Sequence, residues 1–191
     1  VFRLGVGGSQ ERYGVAGDIT AMGKIVGGGF PVGAIAGRSD VMAVFDPSGR
    51  NPEVPHTGTF NGNPISMVAG LATLKALDAA CVARLNSRGD ALRAAMGEAI
   101  ARAGIAGQVT GVGSLFRVHY HAGPIFDYRS GYPTRDGAVR VKNLQRLMLN
   151  EGFLLAVNCS GNLSTAHTDG EIEEFLAAFA RTVGAAEGMA R

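Results

Sequence analysis

Three consecutive glycines, Gly27-Gly28-Gly29, followed by Phe30 and Pro31, interrupt an otherwise apolar stretch and decide what it can become. Glycine loses the most backbone freedom in a helix or strand, and proline removes a ladder donor. No regular element runs easily through that segment. The apolar residues on either side must form two short elements joined by a turn, and the pattern predicts buried strands at 18–25 and 32–38. The chain holds 29 glycines in 191 residues, about twice the usual share. They crowd its first third without a collagen period or a low-complexity tract, so this part reads as turn-rich and close-packed.

Lys24 stands just before the glycine run, among Met22, Ile25 and Val26. An amine held among apolar groups is pushed toward its neutral, nucleophilic form. Such an amine forms a Schiff base with an aldehyde, and the glycines let backbone pass close to a flat ligand. The ordinary alternative is a strand-end lysine whose head snorkels to water, the commonest setting for this residue. The residues alone leave both open. A phosphate loop of the Walker type does not fit, because five residues separate Gly17 from Gly23 and Ile25 follows the lysine. Gly5-Val-Gly-Gly8 is no dinucleotide fingerprint, because no clear strand precedes it and no third glycine falls at the right place.

A hydrophobic share of 46% gives enough material for one large domain or two small ones, and a net charge of +2 argues against a nucleic-acid surface. No apolar run reaches membrane-spanning length. Cys81 and Cys159 lie far apart without zinc spacing and fit free thiols in a reducing cytoplasm. Ser39 or Asp40 is expected to cap a short helix carrying Val41, Met42, Val44 and Phe45. After a polar loop at 46–63, Asn63 as cap and Pro64 at the first helical position open a long helix, with Met67, Leu71, Leu74 and Leu77 on its inner stripe. The boundary between two domains is placed near residue 80.

The second block, 81–191, reads as a compact α+β unit. It is expected to hold a helix at 88–103 with Leu92, Met96, Ala99 and Ala103 inward, and one strand over 108–121 burying Phe116, Val118 and Tyr120. A helix at 138–150 is stopped by Gly152, and a buried strand follows at 153–157. Thr168-Asp-Gly-Glu171 is a capping box opening a last helix with Ile172, Phe175, Leu176, Phe179 and Val183 inward.

Residues 56–64 form a second polar constellation. Hydroxyls, glycine amides and a helix start can hold an anion, although such a segment is ordinarily just a loop ending in a cap. His119 and His121 share a strand face but lack a third ligand, so they read as polar strand residues rather than a metal site. His167 reads as structural, and Cys159-Ser160 lacks a nucleophile elbow.

Taken together, these segments resemble one family. Thr20-Ala-Met-Gly-Lys-Ile-Val-Gly-Gly-Gly-Phe-Pro-Val-Gly-Ala34 is similar to the lysine segment of class III pyridoxal-phosphate aminotransferases, and most of all to their glutamate-1-semialdehyde 2,1-aminomutase branch. Gly37-Arg-Ser-Asp-Val-Met42, Gly58-Thr-Phe-Asn-Gly-Asn-Pro64 and Ser164-Thr-Ala-His-Thr168 match further motifs in the family's order. The resemblance implies an α/β chain of fold type I. Residues 1–80 would be the end of the large cofactor-binding domain, with its mixed sheet and inter-domain helix, and 81–191 the small C-terminal domain. It implies that Lys24 carries pyridoxal 5'-phosphate as an internal aldimine and shuttles protons at the substrate carbon. Gly58 and Thr59 would hold the cofactor phosphate. In the family that loop reaches the neighbouring subunit's cofactor, which implies a homodimer acting on small amino and keto acids.

Some positions depart from the aminomutase branch. Phe30 stands where Met is common, and Phe60-Asn61 where Leu-Ser is common; Phe45-Asp-Pro47 and the segment from His56 to Asn61 resemble transaminases acting on β-amino acids. The acid that pairs with the pyridine nitrogen, a Ser-Gly-Thr phosphate turn, a ring-stacking aromatic and the main substrate-carboxylate groups lie earlier in the family's chains. The sequence is therefore expected to be a truncated piece with little activity alone. The rival of another class is a non-catalytic dimerisation or binding module. Retention of Lys24 together with Thr59 argues against it.

Overall fold

A computed structural model describes residues 2–49 and 51–189, which divide into two compact units, Val1–Ala83 and Arg84–Arg191. In the first unit, α1 (Gly8–Tyr13) precedes β1 (Ile19–Gly23) and β2 (Gly33–Gly37), which pair antiparallel with Ile19 opposite Gly37 and Gly23 opposite Gly33. Among the described residues these strands pair only with each other. They are not buried as expected: every residue of β2 is exposed. The physical reason is local. Their side chains are mostly small, and the long helix packs on the turn between the strands rather than on either face of the sheet.

The short helix α2 (Ser39–Met42) includes both residues expected to cap it, and neither does so. Asp40 instead pairs with Arg38 at 2.5 Å, while Arg38 also reaches Asp18 at 2.9 Å and ties the open end of the strand pair. The long helix α3 (Pro64–Ala76) starts as expected: the Asn63 side chain accepts hydrogen bonds from the amides of Ile65 at 3.0 Å and Ser66 at 3.3 Å. Its inner face is not the Met67, Leu71 and Leu74 stripe, which is exposed. The buried residues are Ser66 and Gly70. Only small side chains let the helix approach a backbone turn this closely, and the large apolar ones are left outside.

In the second unit, α4 (Ala79–Arg102) begins well before the expected start at 88. Strands β3 (Gln108–Thr110), β4 (Leu115–His119) and β5 (Ser160–Asn162) form an antiparallel sheet in the order β3-β4-β5. The single strand expected over 108–121 is thus a hairpin, turned at Gly113 with φ 56°. The Arg93 guanidinium on α4 donates to the carbonyls of Gly113 at 2.5 Å and Leu115 at 2.7 Å and fixes that turn. Helix α5 (Arg135–Asn150) is capped by Thr134 and ended by Gly152 at φ 91°. The strand expected at 153–157 does not form, and Leu154 and Val157 are exposed. The chain reverses instead at Cys159, φ 52°, whose carbonyl accepts from the Val118 amide at 3.2 Å, and pairs with β4 in register from Ser160 onward.

The last helix, α6 (Asp169–Gly188), opens with the complete Thr168–Glu171 capping box. It packs with α5 and carries Phe179 and Val183 into a core with Leu92, Met96, Phe116, Val118, Leu144 and Met148. Phe175 stands among three rings, with centroids 5.7 Å from Phe116, 5.4 Å from Phe153 and 6.3 Å from Phe179. The Tyr120 hydroxyl donates to the Val183 carbonyl at 2.8 Å, which satisfies a buried phenol across the core. Phe179 is fully buried, so Phe179→Ala should cost about 3–5 kcal/mol of stability in chemical denaturation. Leu154→Ala, at an exposed position, should change it by no more than about 0.5 kcal/mol.

Candidate functional site

Lys24 opens a single 3-10 turn, Lys24–Gly27, directly after β1. Its φ of 57° lies in the left-handed region, a conformation that costs a residue with a side chain roughly 1–2 kcal/mol. Such strain persists only where neighbours hold it. Here they do. A side chain added at Gly70 of α3 would collide with the Val26 carbonyl, and one at Gly28 (φ 58°) with the Ala69 carbonyl and the Thr73 hydroxyl. Beyond the glycines, the Ser66 hydroxyl donates to the Pro31 carbonyl at 3.1 Å.

The lysine head is not enclosed. Lys24 is exposed, and Met22, Ile25 and Val26 are only half-buried, which corrects the expectation of an apolar setting. These neighbours flank the residue without covering it, because the turn directs its apolar side toward α3. Among the described residues the Lys24 amine makes no hydrogen bond or ion pair, so it is uncommitted.

The second constellation leads into the start of α3. Two tight turns shape it: the Asn61 amide donates to Gly58 at 3.0 Å and the Asn63 amide to Phe60 at 3.2 Å. A side chain at Gly58 would meet only the exposed Asn61 amide group, at 3.0 Å. Thr59 is exposed, and among the described residues its hydroxyl has no partner. Upstream, the His56 ring meets Phe45 edge-on at 5.7 Å. No hydrogen bond joins Lys24 to Thr59 among the described residues. What the two segments share is α3, which packs on the first and is entered from the second. Sequence reasoning missed Ser66 and Gly70; their signal was the small residues at 66, 69, 70 and 73, spaced to line one helical face.

The remaining candidates are committed to structure. His119 is buried, with Nε2 2.9 Å from the Thr110 hydroxyl. Burial lowers its pKa, helped by the charges of Arg117 and His121 and opposed by a hydrogen bond to the Gly131 backbone. Among the described residues no cluster of three or more His, Cys, Asp or Glu could hold a metal. His167 Nδ1 accepts from the Ser164 amide at 3.3 Å. The Cys159 thiol is fully buried, donates to the Val141 carbonyl and is pushed up to about 12 by burial, so it stays protonated at neutral pH.

A model of the family "Aminotransferase class-III" matches residues 4–127. Glutamate-1-semialdehyde 2,1-aminomutase of Desulforudis audaxviator is 40% identical over 180 residues, covering 93% of this chain and 40% of that protein. The enzyme of the same name from Methanosarcina acetivorans is 38% identical over 180 residues, with shares of 93% and 41%. Among solved structures, an omega-transaminase from Sphaerobacter thermophilus is 45% identical with a TM-score of 0.94, over 97% of this chain and 42% of that one. A beta-phenylalanine aminotransferase from Variovorax paradoxus is 35% identical with a TM-score of 0.86, over 96% and 42%. The chain thus spans about two fifths of the length of the proteins it matches.

His119 gives this region a pH dependence with a definite sign. Folding keeps the ring neutral, so the unfolded chain takes up a proton more readily below the ordinary value of 6.5. The stability it contributes is complete above that value and is lost as pH falls from there through the lower folded-state value. Unfolding free energies measured across pH 7.5 to 4.5 should therefore fall less steeply in His119→Gln than in the unaltered protein.

Proposed function

This chain belongs to the class III aminotransferase family and has the α/β fold of the fold-type I transferases, and from that premise we propose that it supplies the cofactor lysine and a phosphate loop to a pyridoxal 5'-phosphate enzyme of amino-group transfer. The observation that carries the reading is the setting of Lys24: a strained, helix-braced turn presenting an uncommitted amine. The residues fit the group. A free amine, an unpartnered Thr59 hydroxyl and a glycine loop at a helix start are what an aldehyde carrying a phosphate needs.

When bound, the cofactor supplies an aldehyde that captures amines and a ring that stabilises charge at the neighbouring carbon. With the group bound, Lys24 would hold it through Nζ, and that amine could carry a proton to and from the substrate carbon. Gly29 faces open space and leaves room for a planar group beside it. Thr59 would help hold the phosphate through its hydroxyl, with the backbone at Gly58 beside it. The exposure of the Thr59 loop supports its use at a second subunit's cofactor, hence a homodimer. The exposure of Lys24 supports weak activity for these 191 residues alone.

For substrate, the curated relatives support an aminomutase acting on glutamate-1-semialdehyde. A transaminase with an external keto acceptor is favoured by the 45% identity to the omega-transaminase over 97% of the chain. Turnover of glutamate-1-semialdehyde without added keto acid separates them: it occurs only if the enzyme is a mutase.

Borohydride reduction of the loaded full-length protein, followed by peptide mapping, should place a pyridoxyl group on Lys24; cofactor present with no such adduct would overturn the reading. Lys24→Ala should lower the rate of amino transfer by roughly 10²–10⁴-fold or more. Thr59→Ala should weaken cofactor binding about tenfold, the value of one hydrogen bond to a charged group.

A further inference from the structure

We propose that Ser66 on α3 is a positioning residue for Lys24, setting the direction in which the lysine leaves its turn; this rests on the reading of Lys24 as the cofactor lysine. The chain between Lys24 and Pro31 is held at two places. Near the lysine the hold is steric, with the Val26 carbonyl against Gly70 and Gly28 against Ala69. At the far end it is directional: Ser66 is 4% exposed, and its hydroxyl donates to the Pro31 carbonyl at 3.1 Å. The Ser66 amide is itself fixed by the Asn63 cap at 3.3 Å, so the donor starts from an ordered helix turn.

The two holds differ in what they specify. Close contact of glycine with a carbonyl excludes space but allows the turn to tilt, whereas a hydrogen bond fixes a direction. Lys24 has φ 57°, and a residue so strained relaxes toward the right-handed region once its surroundings give way. That relaxation swings the Cα–Cβ bond and moves the amine. Removing the Ser66 hydroxyl therefore loosens the lysine turn while leaving the large apolar side chains of α3 as they were.

The test uses the full-length protein with pyridoxal 5'-phosphate and three variants: Ser66→Ala, Ser66→Thr, which keeps the hydroxyl, and Met67→Ala on the exposed side of the same helix. Three readouts are taken on folded protein: the pH midpoint of the cofactor's visible absorbance, the rate at which borohydride traps Lys24, and amide hydrogen exchange of residues 24–30 without cofactor. In Ser66→Ala the midpoint should move, trapping should slow about tenfold, and exchange should rise. Ser66→Thr should restore all three, and Met67→Ala should change none. A folded Ser66→Ala with unaltered midpoint, trapping and exchange overturns the proposal, as does the same change in Met67→Ala. If the unaltered protein itself shows no adduct on Lys24, the proposed function falls and the role of Ser66 with it. An adduct that forms equally well in Ser66→Ala defeats the positioning role alone.

Discussion

The contact between the Ser66 and Gly70 face of α3 and the turn that begins at Lys24 organises the first unit. The β1–β2 pair offers little to hold it in place, since its side chains are small and its faces largely exposed. An isolated two-stranded pair is marginal in water. Order comes instead from a helix whose small residues admit a backbone at near-contact distance. That geometry makes a non-glycine left-handed residue tolerable, and it explains why Gly70 and Gly28 have no room for a side chain. It also links the two candidate segments, because Asn63 both ends the Thr59 loop and caps the helix that braces Lys24.

The second unit is stabilised differently. It has four apolar elements converging on Phe179, Met96, Leu144 and Val118, with several buried polar groups paired, Tyr120 to Val183, Thr182 to Ala178 and His119 to Thr110, while the buried Ser114 hydroxyl has no partner among the described residues. Such a core is tolerant of individual contacts at its edge and sensitive at its centre. Its polar candidates are each absorbed by this task. Cys159 and His119 look reactive as residue types, yet the fold uses one to turn the chain before β5 and the other to join β3 to β4.

What could be read from the sequence follows the range of the interaction involved. The starts of α3 and α6 were readable because Asn63-Pro64 and Thr168 with Glu171 satisfy helix ends within four residues. The inward residues of α4 and α6 were readable because each packs into an apolar core, where size and periodicity agree, except Ala103, which is exposed just past the end of α4. The same logic misled at α3, whose partner is a backbone turn: proximity there selects Ser66 and Gly70, and the periodic Met67, Leu71 and Leu74 face outward. The hairpin at 108–119 was hidden because alternation continues across the Gly113 turn, and the 153–157 strand was mistaken because an apolar run says nothing of the reversal at Cys159. At the site, the residue types around Lys24 and Thr59 carried the motif resemblance. The left-handed turn and the openness of the amine did not, since both depend on contacts distant in sequence.

These two properties of Lys24 are complementary. In the role proposed for Lys24, a lysine attached at one stage and moving protons at another needs a fixed origin and a free end. The side chain provides the freedom through its four-carbon stem, but only a rigid backbone makes the reach of that stem reproducible. Strain at φ 57° with helix contacts behind it gives the fixed origin, and exposure of the head gives the free end. Burying the head within this chain would have restricted the proton-carrying motion, and relaxing the backbone would have blurred where it starts. The placement of the strain in the main chain, one residue past a strand end, satisfies both demands at once.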